Sequence, residues 1–324
     1  MNRDELEGPR SMSTTWTTKD IPSQAGRRII VTGANSGIGW HTALELARAG
    51  GEVTIAARSE AKAMDAAERI RSILPDANLK VALLDLAAPK SIQSFAEAQL
   101  ALARPIDVLI HNAGVMALPR RQLSVDGREL QFATNVLGPY RLTGILLPAL
   151  LRARAPRVVT VASNSHKAGG PVPLEDLDSR DEYRPIRVYC KTKLANILFT
   201  KELQRRAGNR LLAVCCHPGT AKTNLGAATT LGMKLMVLAI YPLIQSAARG
   251  AEPTLMAATL EGAPPGSYFG PDGFLELRGH PVEATPAPFA DNVAAGRMLF
   301  DELERITGIR YELGSGNARS GAFQ

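Results

Sequence analysis

The chain is 324 residues long, with 45% hydrophobic and 21% charged residues and a formal net charge of +7. This is close to the soluble globular average, so it excludes wholesale disorder and leaves room for one large α/β domain or two smaller ones. The basic residues are scattered rather than gathered in a stripe, and the aromatics, 5% of the chain, never interleave with a basic run, which argues against nucleic acid as a partner.

Residues 1–26 are polar and carry Asp4, Glu5, Glu7 and Asp20, unlike a secretory signal peptide, and they read as a flexible N-terminal arm. From Arg27 onward, short apolar runs at 29–32, 53–56, 79–84, 108–110, 158–162 and 211–215 alternate with segments of helical period at 38–49, 59–73, 90–103, 127–152 and 189–207. That alternation is the pattern of βαβ units. The strand runs are continuously apolar, so both faces of the sheet are buried and helices cover both. The expected fold is therefore α/β, a single doubly wound parallel sheet spanning 27–312, because no linker or internal repeat divides the chain. One more helix is expected at 248–260, and 313–324 reads as a disordered tail. The most apolar stretch, 235–244, is ten residues long and contains Pro242. A spanning helix needs about 20 apolar residues, so no transmembrane span is expected, and the expected location is cytoplasmic. The three cysteines, Cys190, Cys215 and Cys216, have no metal-ligand spacing, and no metal site is expected. The adjacent pair would fall on opposite faces of a strand as small buried hydrophobes.

Thr32-Gly33-Ala34-Asn35-Ser36-Gly37-Ile38-Gly39 follows the first strand and opens the first helix. In that context Gly33 permits a tight turn, Gly37 lets backbone approach a pyrophosphate, and Gly39 lets helix and strand pack closely. The helix start offers free N–H groups and the positive end of its dipole, with Asn35, Ser36 and Ile38 in the same loop. An acidic residue ending the second strand would bind a ribose 2′-hydroxyl and favour NAD(H). Here that place is held by Ala56-Ala57-Arg58-Ser59. Arg58 can pair with a 2′-phosphate, which favours NADP(H) over NAD(H); the alternative is a solvated arginine at a helix start. Asp85, followed by Leu86, could meet an adenine ring at the end of the third strand. Asn112, Ala113 and Gly114, after the fourth, could lie beside the cofactor. Local turn chemistry is the alternative for both places.

Among six tyrosines only Tyr189 has a lysine four residues later, Lys193, on the same face of a helix. An ammonium about 5 Å away at an effective dielectric near 20 would lower a phenol's pKa by about two units, towards acid/base range. Ser163, ending the fifth strand, is the candidate to hold a substrate oxygen, with Ser165 as rival. Asn135 is a polar amide inside a long apolar helix and needs a partner there.

Together these residues resemble the short-chain dehydrogenase/reductase family, in particular its retinol dehydrogenase-like and actinobacterial members. The motifs are Thr-Gly-x3-Gly-Ile-Gly, Asn-Ala-Gly, the Asn135 helix, Ser163, Tyr189-x3-Lys193-Leu-Ala-Asn and His217-Pro218-Gly219-x3-Thr223. The resemblance implies a Rossmann-type fold, a nicotinamide-dependent oxidoreductase and a tetrad of Asn135, Ser163, Tyr189 and Lys193. It also implies that Lys193 contacts the nicotinamide ribose, that Asn135 anchors a relay water, and that Pro218, Gly219 and Thr223 serve the cofactor, with Thr223 on its carboxamide. Two departures are His111 in place of a more usual Asn, and Ala162 in place of the first of a Ser-Ser pair.

Residues at about 220–247 would cover the site, and Met233, Leu235, Met236, Val237, Leu238, Ile240, Tyr241 and Leu243 make them apolar. A lipophilic alcohol, aldehyde or ketone fits better than a sugar. The alternatives are burial in the core or a subunit interface. Peripheral membrane contact through this segment has the support of only Lys234, and a homo-oligomer is compatible with the family resemblance. The rival function is a non-catalytic nucleotide-binding redox sensor on the same fold.

Overall fold

Val, Ile, Leu and Ala crowd the first strands so densely that neither face can meet water. In the computed structural model, which describes residues 15–220 and 245–313, they become β1 (Arg28–Thr32), β2 (Glu52–Ala57), β3 (Leu79–Leu83), β4 (Val108–His111), β5 (Arg157–Val161) and β6 (Leu212–Cys216). Two further strands, β7 (Tyr268–Pro271) and β8 (Pro281–Glu283), complete an eight-stranded sheet in the order β3-β2-β1-β4-β5-β6-β7-β8. All neighbours pair in parallel except β7 with β8, which are antiparallel. The doubly wound sheet is as expected, and its added edge is the difference. Gly270 and Pro271 made the seventh strand look like a turn, because Pro cannot donate to a ladder and is tolerated near an edge.

The helices α1 (Gly37–Arg48), α2 (Glu60–Arg71) and α6 (Ala247–Thr259) cover one face. The other face carries α3 (Pro89–Ala101), α4 (residues 130–150), α5 (Pro185–Ala207) and α7 (Val293–Thr307). Alternation along the strands feeds two cores. Ile30 joins one and Ile29 and Val31 the other, and Cys215 and Cys216 divide in the same way. All three cysteines are free and buried.

The helix expected at 127–152 is α4, assembled from Leu130–Phe132, a π turn at Ala133–Leu137 and Gly138–Leu150. It starts later than expected because Gly127, at φ +77°, closes a turn, with its N–H donating to Ser124 O at 3.0 Å. The Glu129 carboxylate then accepts from Phe132 N at 2.7 Å and caps the helix. Helix α5 starts earlier than expected because Pro185, pre-set for a first turn, begins it. Helix α7 is not among the expected helices, although Gly296, Leu299, Phe300 and Leu303 recur at helical spacing and are its buried face.

The expected loose arm is corrected for its described part. Trp16 and Ile21 pack on the core of the α1 face, and the fully buried Gln24 accepts no freedom, its N–H donating to Ala49 O at 2.8 Å. Two apolar side chains among polar neighbours suffice to dock such a segment. At the other end Leu313, expected to begin the tail, is buried, as is Tyr311 within the expected domain. Tyr311 OH donates to Tyr140 O at 2.6 Å, and Tyr140 OH donates to Ile309 O at 2.9 Å. With Phe199 and Phe300 these two rings form one aromatic cluster beneath α4, α5 and α7. Among the described residues no helix is long and apolar enough to cross a membrane.

Tyr311→Ala should lower the free energy of unfolding in urea by about 3–5 kcal/mol. Tyr311→Phe, which loses only the hydrogen bond, should lose about 1 kcal/mol. Equal losses in the two variants would mean that the ring is not packed as described.

Candidate active site

The winding of the chain reverses between β1 and β4, and the loops leaving their C-terminal ends lie side by side there. Thr32 ties them. Its Oγ1 donates to Ile110 O at 3.2 Å and accepts from Asn112 N at 3.0 Å and Ala113 N at 3.1 Å. Asn112 Nδ2 returns the contact, donating to Thr32 O at 2.8 Å and Gly33 O at 3.3 Å. Gly33 turns the chain at φ +67°, and a Cβ on it would stand 2.9 Å from Ala113 Cα. A Cβ on Gly39 would collide with Asn112 Nδ2 and lie 2.6 Å from Gly33 O, so this glycine is what lets α1 settle onto the loop. Gly37 also has positive φ, +57°.

Ser36 precedes α1 without capping it through its side chain, and the first turn of α1 holds no acidic residue. The N–H groups there keep their donor capacity and the helix its positive end, a donor set suited to phosphate. Asn35 and Ser36 are half-buried at the rim, Asn35 O accepting from Arg69 Nη2 at 3.0 Å, while Ile38 points into the core. Arg58 follows β2, is exposed, and makes no ion pair among the described residues. Asp85 Oδ1 accepts from Ala87 N at 2.9 Å and so caps its own turn, the local alternative considered for it. Leu86 is buried against Gly138 of α4.

Across this crevice stand the four polar residues. Asn135 lies within the π turn of α4, a widened turn of a kind that recurs at functional sites, and only 1% of its surface is exposed. Its Oδ1 accepts from Val115 N at 2.9 Å, and its Nδ2 donates to Val115 O at 2.9 Å and to Thr192 Oγ1 at 3.1 Å. Lys193 is buried on α5, its Nζ donating to Val161 O at 2.8 Å and lying 5.7 Å from the centre of the Tyr189 ring. A Cβ on Gly114 would lie 3.1 Å from Asn135 Oδ1 and 3.6 Å from Lys193 Nζ, so these three converge. Ser163 caps the turn Asn164–Ala168, and its Oγ accepts from Ser165 N at 3.2 Å and Ser165 Oγ at 2.9 Å. The Ser163 hydroxyl also meets the Tyr189 phenol, whereas Ser165 meets the Cys190 thiol.

Burial pushes the Tyr189 phenol up to about 12, against the Ser163 hydrogen bond, which pulls it down. Burial also lowers Lys193 to about 8. The spacing of the two residues predicted the opposite direction for the phenol. The reason for the reversal is that both groups are withdrawn from water, so the cost of desolvating the phenolate decides the direction.

Known proteins match this chain along most of its length. The family model described as short chain dehydrogenase matches residues 27–233. Human retinol dehydrogenase 13 is 37% identical over 300 residues, covering 89% of this chain and 87% of that protein. The chain belongs to the short-chain dehydrogenase family. A crystal structure of an uncharacterised protein from Mycobacterium Paratuberculosis superposes with TM-score 0.76 at 37% identity, covering 92% of this chain and 99% of the other. A crystal structure described provisionally as an NAD(P)-dependent gluconate 5-dehydrogenase from Beutenbergia cavernae, with bound NADP at low occupancy, gives TM-score 0.60 at 26% identity over 73% of this chain and 91% of its own. This short-chain dehydrogenase is accordingly a nicotinamide-dependent oxidoreductase acting on alcohol or carbonyl groups.

Both departures from the family pattern are accommodated in this member. His111 is buried with Nε2 2.7 Å from Thr143 Oγ1, and burial drives its pKa down to about 3, so it is neutral. Ala162 donates its N–H to Cys216 O at 2.7 Å, continuing the β5–β6 ladder. Beyond β6, Pro218 O accepts from Gln245 Nε2 at 2.6 Å, and Gly219 has φ +63°. Thr223 and the apolar residues 233–243 lie outside the described residues. Sequence reasoning gave no role to Thr32 or Thr192, both of which the structure bonds to site residues. Thr192 sits three positions after Tyr189, a spacing that places it on the same helix face.

Gly39→Ala should weaken dinucleotide binding at least tenfold and destabilise the fold by about 1–3 kcal/mol, since backbone must shift to admit the methyl group. Fluorescence titration beside thermal unfolding checks this, and wild-type affinity would show that α1 tolerates the displacement.

Proposed function

We propose that this short-chain dehydrogenase transfers a hydride between NADP(H) and the carbonyl or alcohol carbon of a small lipophilic substrate. The observation that carries the reading is the convergence of Tyr189, Ser163, Lys193 and Asn135 beside a helix N-terminus without a side-chain cap. The dinucleotide, when bound, supplies or takes the hydride at nicotinamide C4.

The chain's own residues do the remainder. Gly33, Asn35, Ser36, Gly37, Ile38 and Gly39 receive the phosphates, and Asp85, Leu86, Asn112, Ala113 and Gly114 border the adenosine and its ribose. Pro218, Gly219 and Thr223 border the nicotinamide. Tyr189 gives its hydroxyl proton to the substrate oxygen in reduction and takes it back in oxidation. Ser163 is preferred to Ser165 as donor to that oxygen, because its hydroxyl meets the phenol whereas Ser165 reaches Cys190. Lys193, anchored on Val161 O, would contact the nicotinamide ribose with its remaining ammonium hydrogens. Asn135 is held rigidly enough by Val115 and Thr192 to order a relay water.

Preference for NADP(H) rests on Arg58, exposed and without an ion pair among the described residues, where a carboxylate would select NAD(H). NADP in the Beutenbergia cavernae relative points the same way. A lipophilic substrate is supported by the apolar residues 233–243 and by the resemblance to retinol dehydrogenase 13.

Tyr189→Phe should lower kcat for reduction of a lipophilic aldehyde by about 10²–10⁴ while leaving NADPH affinity within about twofold. Full turnover in that variant would sink the mechanism. Arg58→Ala should weaken NADPH at least tenfold and NADH hardly at all, as loss of a charge-assisted contact requires. Equal losses for both dinucleotides would remove the basis of the preference.

A further inference from the structure

The loop between β7 and β8 folds back over the ends of β6 and β5. Its base is closed by Asp272 N donating to His280 O at 2.9 Å and Gly273 N donating to Arg278 O at 3.0 Å. At its tip Leu275 and Glu276 are both left-handed, at φ +50° and +56°. Two successive non-glycine residues in that region persist only when their surroundings over-determine them. Phe274 and Leu275 are 74% and 66% exposed, so burial of their side chains is not what holds the tip.

What holds it is a set of polar contacts to two other segments. On one side Asn164 Nδ2 donates to Leu275 O at 2.9 Å, and Lys167 Nζ donates to Glu276 Oε1 at 2.7 Å. Both partners belong to the turn that Ser163 caps. On the other side Thr220 N donates to Leu277 O at 2.7 Å, and Glu276 Oε2 lies 3.0 Å from His217 Nε2. His217 is itself fixed. Its ring stacks on Tyr268 with centroids 5.2 Å apart, a Cβ on Gly270 would overlap it, and its Nδ1 accepts from Gly219 N at 3.3 Å. With Nδ1 accepting, Nε2 carries the proton and faces the carboxylate.

We propose that Glu276 is a positioning residue for the active site, its carboxylate tying the Ser163 turn to the 217–220 segment and so fixing the spacing of the two walls. The inference rests on the reading that Ser163 and Pro218-Gly219 border the reacting groups. A carboxylate suits the task because one oxygen accepts from the Lys167 ammonium while the other lies 3.0 Å from the His217 imidazole nitrogen, an electrostatic contact on each side. His217 and then Lys167 keep Glu276 ionised, its pKa held down to about 2. The left-handed backbone at Leu275 and Glu276 is the conformation that delivers the carboxylate between them.

The test uses Glu276→Gln, Glu276→Gly, which relieves the backbone and removes the carboxylate, and Lys167→Met. Hydrogen exchange on the protein without ligand is expected to quicken at least threefold in both 164–168 and 217–220 for either Glu276 variant. The affinity for NADPH should fall about tenfold, as loss of a hydrogen-bonded charge predicts. For a lipophilic aldehyde kcat should fall with KM little changed, and Lys167→Met combined with Glu276→Gln should be no worse than Glu276→Gln alone. Wild-type exchange in either segment, or wild-type NADPH affinity and kcat in Glu276→Gly, would overturn the proposal. Failure of the unaltered protein to reduce any aldehyde would count against the substrate reading alone, since exchange and NADPH affinity still decide the role of Glu276.

Discussion

The reversal of winding between β1 and β4 is the constraint on which the rest of the molecule depends. A parallel sheet built outward in both directions from that pair leaves a crevice at the C-terminal ends of its strands, because the helices leaving β1 and β4 go to opposite faces. Left alone, such a gap exposes backbone N–H and C=O groups that need partners. Thr32 and Asn112 supply them across the gap, and in doing so they set the distance between the two loops. Gly33 and Gly39 then follow as requirements rather than preferences, since each faces the opposing loop at a distance no Cβ can share. The helix start that faces the crevice is a by-product of the same geometry.

Much of this was legible in the sequence because it depends on spacing along one element. The glycine loop lies where a strand ends and a helix begins, and Tyr189 and Lys193 lie one helical turn apart, so neither needed tertiary information. What escaped depends on depth and on partners remote in the chain. The direction of the Tyr189 pKa could not be read from the interval to Lys193, because it is decided by how completely both residues are buried. The π turn around Asn135 has no signature in residues 133–137, and the partners that fix the amide, Val115 and Thr192, are 20 and 57 positions away. The edge strands β7 and β8 are short, and Gly270 and Pro271 are chosen for reasons of contact, the former because the His217 ring occupies the space of a side chain. The packing of 15–26 rests on Trp16 and Ile21, two apolar positions too sparse to show a period.

The outer helices bear on the site from behind. Asn135 stands on α4, and Tyr189 and Lys193 on α5, and α7 lies against α5 with its own aromatic Phe300 in contact with Phe199 and Tyr140. Tyr311 closes the same cluster from beyond α7 through the Tyr140 carbonyl. A close-packed interior transmits displacement, so a residue far along the chain sets how exactly the two helices are held relative to each other. The same helices leave the opposite face of the sheet to α1, α2 and α6, so the glycine loop proposed to receive phosphate and the helices that carry the polar residues belong to separate cores. The sheet edge at the crevice is where the two meet, which lets each be shaped without disturbing the other.

The electrostatics of Tyr189 and Lys193 bear on how the proposed proton transfer works. Raising the phenol from its ordinary value near 10 to about 12 disfavours the phenolate by roughly 3 kcal/mol, so at neutral pH the group holds its proton. A protonated acid is what a carbonyl oxygen needs as negative charge grows on it, and Ser163, already in contact with the phenol, can donate to the same oxygen. The reverse reaction asks Tyr189 to accept a proton, which requires some phenolate, and here Lys193 matters. Its own pKa near 8 reflects the cost of burying an ammonium. Any negative charge placed beside it repays part of that cost, so ionisation of Tyr189 and protonation of Lys193 favour each other. At neutral pH Lys193 is already an ammonium while Tyr189 holds its proton, so the lysine stands ready to offset negative charge when the phenol gives that proton up.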